Sequence, residues 1–199
     1  MMKRIFTALL CALCITANAQ TAKQVLDKAS ASISNAKGTQ ANFTMNSKTL
    51  GNVSGTIAIK KQKFHAVTPK AIVWFDGKTQ WTLMRSNNEV NVSNPSVNQL
   101  QSLNPYSFIN LYRKGYKMQM TTTKDDYNVH LTSTQKNKKI SEMYIVVKKG
   151  SYAVSQVKML MGGKWSTISI SNITHKSLGD GAFRFNSKDF PTAEVIDLR

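Results

Sequence analysis

The sequence predicts a mainly β protein in which one amphipathic helix precedes an antiparallel sheet. Three observations support this fold class. Apolar residues recur at helical spacing near the start of the chain, the pattern then changes to a period of two, and strand and turn signals alternate almost to the end. This spacing indicates an antiparallel meander of about eight to ten strands.

The first 19 residues are typical of a secretory signal. Lys3 and Arg4 precede an apolar run, and the small residues at 17–19 fit a cleavage site. The run is shorter than the ~20 apolar residues that a transmembrane helix needs. We therefore expect residues 1–19 to be removed and residues 20–199 to form one exported domain. Cys11 and Cys14 would leave with the signal, so no disulfide is expected.

Positive charge dominates the composition of the exported chain. Of 27 basic residues, Lys3 and Arg4 belong to the signal, which leaves 25 against 10 acidic residues and a net charge of +15. Such a charge favours anionic partners, although nucleic acid is a poor candidate for an exported protein. A spread of lysines also keeps an apolar protein soluble, and the sequence leaves both roles open.

The opening helix is predicted by a capping box at Thr21 and Gln24, followed by apolar residues at helical spacing up to residue 36. Gly38 is expected to end this helix in the left-handed conformation. From residue 39, alternation predicts strands with one polar face. Asn-Pro pairs at 94–95 and 104–105 are typical of helix starts, and the second predicts a helix over residues 105–113. Five further strands follow it.

Two tryptophans flank a predicted turn at residues 76–77. With a two-residue turn there, Ile72 pairs with Trp81, and alternation gives the strands one shared apolar face. The side chains on that face are Ile72, Trp74, Trp81 and Leu83.

All seven methionines after the signal fall on predicted strands. Methionine is flexible and polarizable, so an inward methionine face adapts to irregular apolar ligands. The alternative is a plain hydrophobic core, in which methionine and tryptophan are also common.

Signals for catalysis are weak. His65, His130 and His175 are far apart in the sequence and lack metal-ligand spacing, and no nucleophile-elbow motif is present. Asp125 and Asp126 lie in a predicted turn, where acidic residues are common without chemistry. We therefore predict that the protein is not an enzyme and has no metal or other cofactor.

Several features match a known family in order and spacing. They are the opening helix, a strand around Phe43, the motif DGKTQW at residues 76–81, a proline-started mid-chain helix and the closing segment FRFNSKDFPTAEVIDL at 183–198. In these features the chain resembles the LolA-like periplasmic lipoprotein carriers, over essentially all residues after the signal. The resemblance implies an incomplete antiparallel β-barrel, or half-barrel, covered by the N-terminal helix and a mid-chain helical lid. It implies neither a cofactor nor covalent chemistry.

The function implied by this resemblance is periplasmic transport of lipoproteins from the inner to the outer membrane, with their acyl chains held in a cavity between sheet and lid. The implied partners are acylated lipoproteins, an inner-membrane lipoprotein-releasing transporter and an outer-membrane acceptor, and we expect a monomer. The expected cavity lining is Phe43, Met45, Ile57, Ile59, Trp74, Trp81, Met118, Met120, Met143, Met159 and Met161. The expected lid residues are Leu103, Phe108, Leu111 and Tyr112.

One departure from the family pattern concerns lid control. Better-known members have an arginine followed by proline where this chain has Lys61 and Gln62. Lysine lacks the planar donor fork of arginine, so Lys61 is at most a different kind of latch. A second hypothesis is therefore a non-transport envelope module that uses the same fold to sense or bind an anionic glycan, lipopolysaccharide or another lipid.

Overall fold

One continuous sheet of twelve strands forms most of the structure. The computed structural model describes residues 20–34, 36–48, 51–96 and 111–199. Helix α1 (Ala22–Ile33) comes first, and no helix within these ranges is long and apolar enough to cross a membrane. The strands are β1 (Thr39–Ser47), β2 (Gly51–Lys60), β3 (Lys63–Val67), β4 (Ala71–Phe75), β5 (Gln80–Met84), β6 (Glu89–Ser93), β7 (Tyr116–Thr122), β8 (Asp126–Ser133), β9 (Ile140–Lys148), β10 (Val154–Met161), β11 (Lys164–His175) and β12 (Glu194–Asp197).

The strand order is β12-β6-β5-β4-β3-β2-β1-β11-β10-β9-β8-β7. Neighbouring strands run antiparallel except β12 and β6, which are parallel. Strand β1 pairs with both β2 and β11, so it joins two series of hairpins into one sheet. The edge strands β12 and β7 do not pair with each other. The sheet is therefore open, which confirms the predicted incomplete barrel.

The sheet has more strands than the eight to ten predicted. The two additional strands are β3 and β12, which have five and four residues. Strand β12 pairs with β6 across about a hundred residues of sequence, and a parallel partner at that distance leaves no local turn signal.

Helix α1 forms as predicted at its start and ends earlier than predicted. Thr21 and Gln24 form the capping box, but the helix ends at Ile33, before Gly38. The prediction that Gly38 stops the helix is therefore wrong. Gly38 has a φ of +126°, and a Cβ there would lie 2.6 Å from Cδ1 of Leu178, so close packing against the C-terminal segment requires glycine.

The two faces of the sheet have different covers. Helix α1 packs against β7 and β9 on one face, which we call the inner face. The C-terminal segment, residues 176–193, crosses the opposite outer face through two 3-10 helices, Asp180–Phe183 and Ser187–Asp189. Each face therefore has its own hydrophobic cluster.

Candidate functional site

The inner face carries the largest hydrophobic cluster of the described residues. Helix α1 contributes an apolar stripe of Val25, Leu26, Ala29 and Ile33, all nearly inaccessible to solvent. Strands β1, β2, β9 and β10 contribute residues that the sequence predicted to face inward together. The buried ones are Phe43, Ile57, Ile59, Met143 and Met159.

The inner face is filled at its centre and incompletely covered at its margin. Met143 is 0% exposed and Met159 is 3% exposed. Met45, Met118 and Met120 are half-buried and pack against the cluster from strands β1 and β7. Because methionine changes rotamer at low cost, this margin can repack around an apolar ligand while the centre stays fixed.

Tyr112 joins the end of the mid-chain segment to helix α1. Its ring is 1% exposed within the inner cluster, and its hydroxyl donates a hydrogen bond to Oδ1 of Asp27 at 2.5 Å. Burial, together with this bond, raises the pKa of Tyr112 to about 12. Hydrogen bonds from Lys23 and Tyr112 lower the pKa of Asp27. The sequence predicted Tyr112 only as a lid residue. Its partner Asp27 was not predicted, because the two residues lie 85 positions apart in the sequence.

Two of the four predicted lid residues can be placed. Leu111 is half-buried against the inner cluster, next to the buried Tyr112. Leu103 and Phe108 lie outside the described residues.

The structure does not bring the tryptophans together with the methionines. Trp74 and Trp81 belong to an outer-face cluster with Ile72 and Leu83, so the predicted shared face is confirmed but its place in the cavity is corrected. Trp74 makes edge contacts with Phe185 at 5.6 Å and with Phe190 at 5.5 Å, measured between ring centroids. The C-terminal segment therefore covers the face that the sequence assigned to the ligand.

The tryptophan hairpin also has a different register from the predicted one. Trp74 lies opposite Trp81, and residues 77–78 form the centre of the turn. Oδ1 of Asp76 accepts a hydrogen bond from the backbone N–H of Thr79 at 2.9 Å, which moves the turn one residue along the chain. The partner of each residue changes by two positions along the opposite strand. Because this number is even, each side chain stays on its predicted face.

Met161 is a second correction to the predicted lining. It is 37% exposed and lies outside the inner cluster. The pairing of β10 with β11 runs regularly to Met161 opposite Lys164, so the exposure of Met161 follows from its place at the end of the strand, beyond the residues that pack in the inner cluster.

Lys61 lies in the turn between β2 and β3, with a φ of +56° and an exposed side chain. The neighbouring Lys60 and Lys63 contact the C-terminal segment instead. Nζ of Lys60 lies 3.0 Å and Nζ of Lys63 lies 2.8 Å from the carboxylate of Asp180. The hydrogen bond from Lys63, followed by that from Lys60, lowers the pKa of Asp180 to about 2. The two lysines hold the C-terminal segment on the outer face, a role that the sequence analysis missed.

The outer face has a cavity of about 320 Å³ between β1, β2, β3 and β11. Amide and hydroxyl side chains make up half of its ten lining residues, including Gln40, Asn42, Thr56 and Thr174. Apolar chains would leave these polar groups without hydrogen-bond partners, so this cavity suits acyl chains less well than the inner face does.

The histidines occupy separate aromatic or strand-end positions. His65 stacks on Trp74 with ring centroids 5.3 Å apart, and burial lowers its pKa. His130 stacks on Tyr144 at 4.3 Å, and both side chains hydrogen-bond to Glu142. The described part of the chain contains no group of three or more histidine, cysteine or acidic residues placed to hold a metal ion.

The sequence matches a family model described as outer membrane lipoprotein carrier protein LolA, over residues 13–163. The chain belongs to this LolA family. The match includes every residue predicted above for the acyl-chain cavity and the lid, and it ends before the C-terminal segment of the outer face. Among curated proteins, none is significantly similar in sequence to this LolA-family chain.

The first two of the following solved structures support the fold assignment. A protein from Thermus thermophilus, described as an uncharacterized conserved protein, has a TM-score of 0.62 at 12% identity, over 89% of this chain and 99% of that one. MucB has a TM-score of 0.50 at 7% identity, over 85% of this chain and 64% of MucB. A LolA superfamily protein from Nitrosomonas europaea has a TM-score of 0.46 at 12% identity, over 84% of this chain and 99% of that one. At such identities the likeness concerns the fold of the LolA-family chain alone.

Proposed function

We propose that this LolA-family protein carries acylated lipoproteins through the periplasm and shields their acyl chains against the inner face of its sheet. The observation that supports this proposal is the graded inner cluster. Met143 and Met159 are packed at its centre, whereas Met45, Met118 and Met120 form a half-exposed apolar margin. The description of the family as lipoprotein carriers gives the chemical class of the cargo.

The energetics explain why a carrier must cover its cargo. Exposure of each methylene to water costs ~0.8 kcal/mol, so a sixteen-carbon chain costs on the order of 12 kcal/mol. A margin of flexible side chains can bury such a chain without the fixed complementarity that would prevent its release. The proposed binding residues are those on the inner face: Phe43, Met45, Ile57, Ile59, Met118, Met120, Met143 and Met159.

The remaining parts of the transport cycle belong to the same proposal. Residues 1–19 would direct export and be cleaved, and residues 20–199 would act as a monomer in the periplasm. Cargo would arrive from an inner-membrane releasing transporter and leave to an outer-membrane acceptor.

Adjacent residues on β7 provide a matched test of this function. Met120 is half-buried and lies opposite Val129 on the inner face, whereas Thr121 is exposed and lies opposite Asn128 on the outer face. The purified protein would be titrated with a fluorescent triacylated lipopeptide, and the Kd compared for Met120→Arg and Thr121→Arg. Each variant adds one positive charge to the same strand.

We expect Met120→Arg to weaken binding by about 10-fold or more, because contact with a methionine side chain is worth roughly 1.5–3 kcal/mol. Thr121→Arg should change the Kd by less than about 2-fold. Equal losses in both variants, or unchanged binding in Met120→Arg, would overturn the proposed site.

A further inference from the structure

Six basic residues lie together at one corner of the sheet, where β7 begins and the turn between β8 and β9 lies. The strand register brings these segments side by side, since Tyr116 pairs with Ser133 and the backbone N–H of Thr134 donates to the carbonyl of Gly115 at 3.0 Å. We call this surface the basic corner. Its residues are Arg113, Lys114, Lys117, Lys136, Lys138 and Lys139.

The basic corner is held in shape by one of its own lysines. Nζ of Lys138 donates a hydrogen bond to the carbonyl of Lys114 and lies 4.2 Å from the centroid of the Tyr116 ring. Gly115 leaves room for this contact, because a Cβ there would lie 2.8 Å from the same Nζ. Two separate segments are thus joined at the base of the corner.

The positive charge of Lys114, Lys117 and Lys136 is not balanced locally. Between residues 112 and 140 the acidic residues are Asp125 and Asp126, at the opposite end of β7 and β8. Nearby Asp27 is paired with Lys23 and Tyr112, and Glu142 is bonded to His130 and Tyr144. Across the described residues, Lys114, Lys117 and Lys136 form no ion pair. The corner is therefore complementary to an anionic surface.

The corner is also continuous with the inner face. Leu111 and Tyr112, which pack in the inner cluster, directly precede Arg113, and the Tyr116 ring packs against the same cluster under Lys138. We propose that the basic corner docks the protein on an anionic lipid bilayer and so places the inner face beside the membrane that holds the acylated cargo. This proposal rests on the proposed carrier function.

A bilayer fits the corner better than a single acidic protein site does. Five of the six cations are lysines, which act as flexible point charges and do not need the bidentate geometry that arginine provides. Phospholipid headgroups present diffuse negative charge over a wide plane. A cluster of lysines near such a surface binds by additive attraction that salt weakens.

Two charge-matched variants test the placement of this charge. The corner variant carries Lys114→Gln, Lys117→Gln and Lys136→Gln, and the control carries Lys61→Gln, Lys70→Gln and Lys78→Gln in turns at the other side of the sheet. All six side chains are exposed, and each variant loses three positive charges. Binding of the purified protein would be measured by co-sedimentation with phosphatidylglycerol or phosphatidylcholine vesicles, at low and at high salt.

We expect binding to phosphatidylglycerol vesicles alone and its loss at high salt. The corner variant should have an affinity for these vesicles on the order of 100-fold lower, because each of the three lysines contributes about 5-fold. The affinity of the control should stay within a few-fold of that of the unaltered protein. Equal weakening of both variants would mean diffuse attraction and would overturn the proposal. Binding to polyglutamate through the corner without binding to vesicles would also overturn it, because the partner would then be an acidic protein.

The lipopeptide titration separates this proposal from the carrier function. The corner variant should bind the soluble triacylated lipopeptide with an unchanged Kd. If lipopeptide binding fails in the unaltered protein but vesicle docking at the corner remains, the carrier function is wrong and the docking surface stands.

Discussion

Tyr112 hydrogen-bonds to Asp27, and this contact joins the end of the mid-chain segment to the first helix. The two oxygens are 2.5 Å apart, and the tyrosine ring is buried while the Asp27 side chain is 38% exposed. Tyr112 is therefore fixed to α1 by a hydrogen bond to a charged group.

The first prediction concerns the energy of this contact. Tyr112→Phe keeps the buried ring and removes the donor, so we expect the free energy of unfolding to fall by about 1–2 kcal/mol. A double-mutant cycle with Asp27→Asn, measured by denaturant unfolding, isolates the pair from the bond between Asp27 and Lys23. A coupling energy near zero would contradict the anchoring role.

The second prediction concerns alkaline pH. The pKa of Tyr112 is raised from 10.0 to about 12 in the folded state, so the folded protein holds the phenol proton more tightly than the unfolded chain. The stability from this group is complete below pH 10 and is lost as pH rises toward 12. We expect the difference in unfolding free energy between the unaltered protein and Tyr112→Phe to shrink from pH 9 to about pH 11.5. A difference that stays constant over this pH range would mean that the pKa of Tyr112 is not raised in the folded protein.

The third prediction concerns the C-terminal segment. Phe183 is 0% exposed and packs with Ala58 and Leu178 on the outer face. Phe183→Ala should reduce the unfolding free energy by about 3–5 kcal/mol because it leaves a cavity. Val195→Ala, at a residue that is 49% exposed, is the control and should change it by less than about 0.5 kcal/mol. Similar small effects at both positions would mean that the segment is not packed on the sheet.

The fourth prediction uses the methionines as reporters. Met161 is 37% exposed and should be oxidised early by peroxide, whereas Met143, at 0%, should react only after unfolding. Peptide mass spectrometry would follow each sulfoxide with time. Bound triacylated lipopeptide should slow oxidation of the half-buried Met118 and Met120 and leave Met161 unaffected. Protection of Met161 alone would place the ligand outside the inner cluster.

Local patterns in the sequence predicted the elements that local interactions form. The capping box of Thr21 and Gln24 marks the start of α1, and alternation placed Phe43 and Met45 on one face of β1. Parity also grouped Trp74 with Trp81 despite the wrong register. Each of these predictions depends on residues close together in the chain, where periodicity carries the information.

The sequence could not predict which face of the sheet helix α1 and the C-terminal segment would each cover. Trp74 was assigned to the ligand because alternation says which residues share a face and not what lies against it. Phe185 and Phe190, which cover it, are more than a hundred positions away. The bond between Tyr112 and Asp27 and the clamp of Lys60 on Asp180 depend on tertiary contacts of the same kind.

Photo-crosslinking with a lipopeptide that carries a diazirine in its acyl chain tests most directly whether acyl chains bind on the inner face. After irradiation with the purified protein, peptide mass spectrometry would locate the adducts. Binding on the inner face predicts adducts at Met45, Met118 and Met120, and none at the outer-face residues Tyr144 and Trp165. Adducts confined to the outer face, or the same adducts on a heat-unfolded control, would contradict acyl-chain carriage on the inner face.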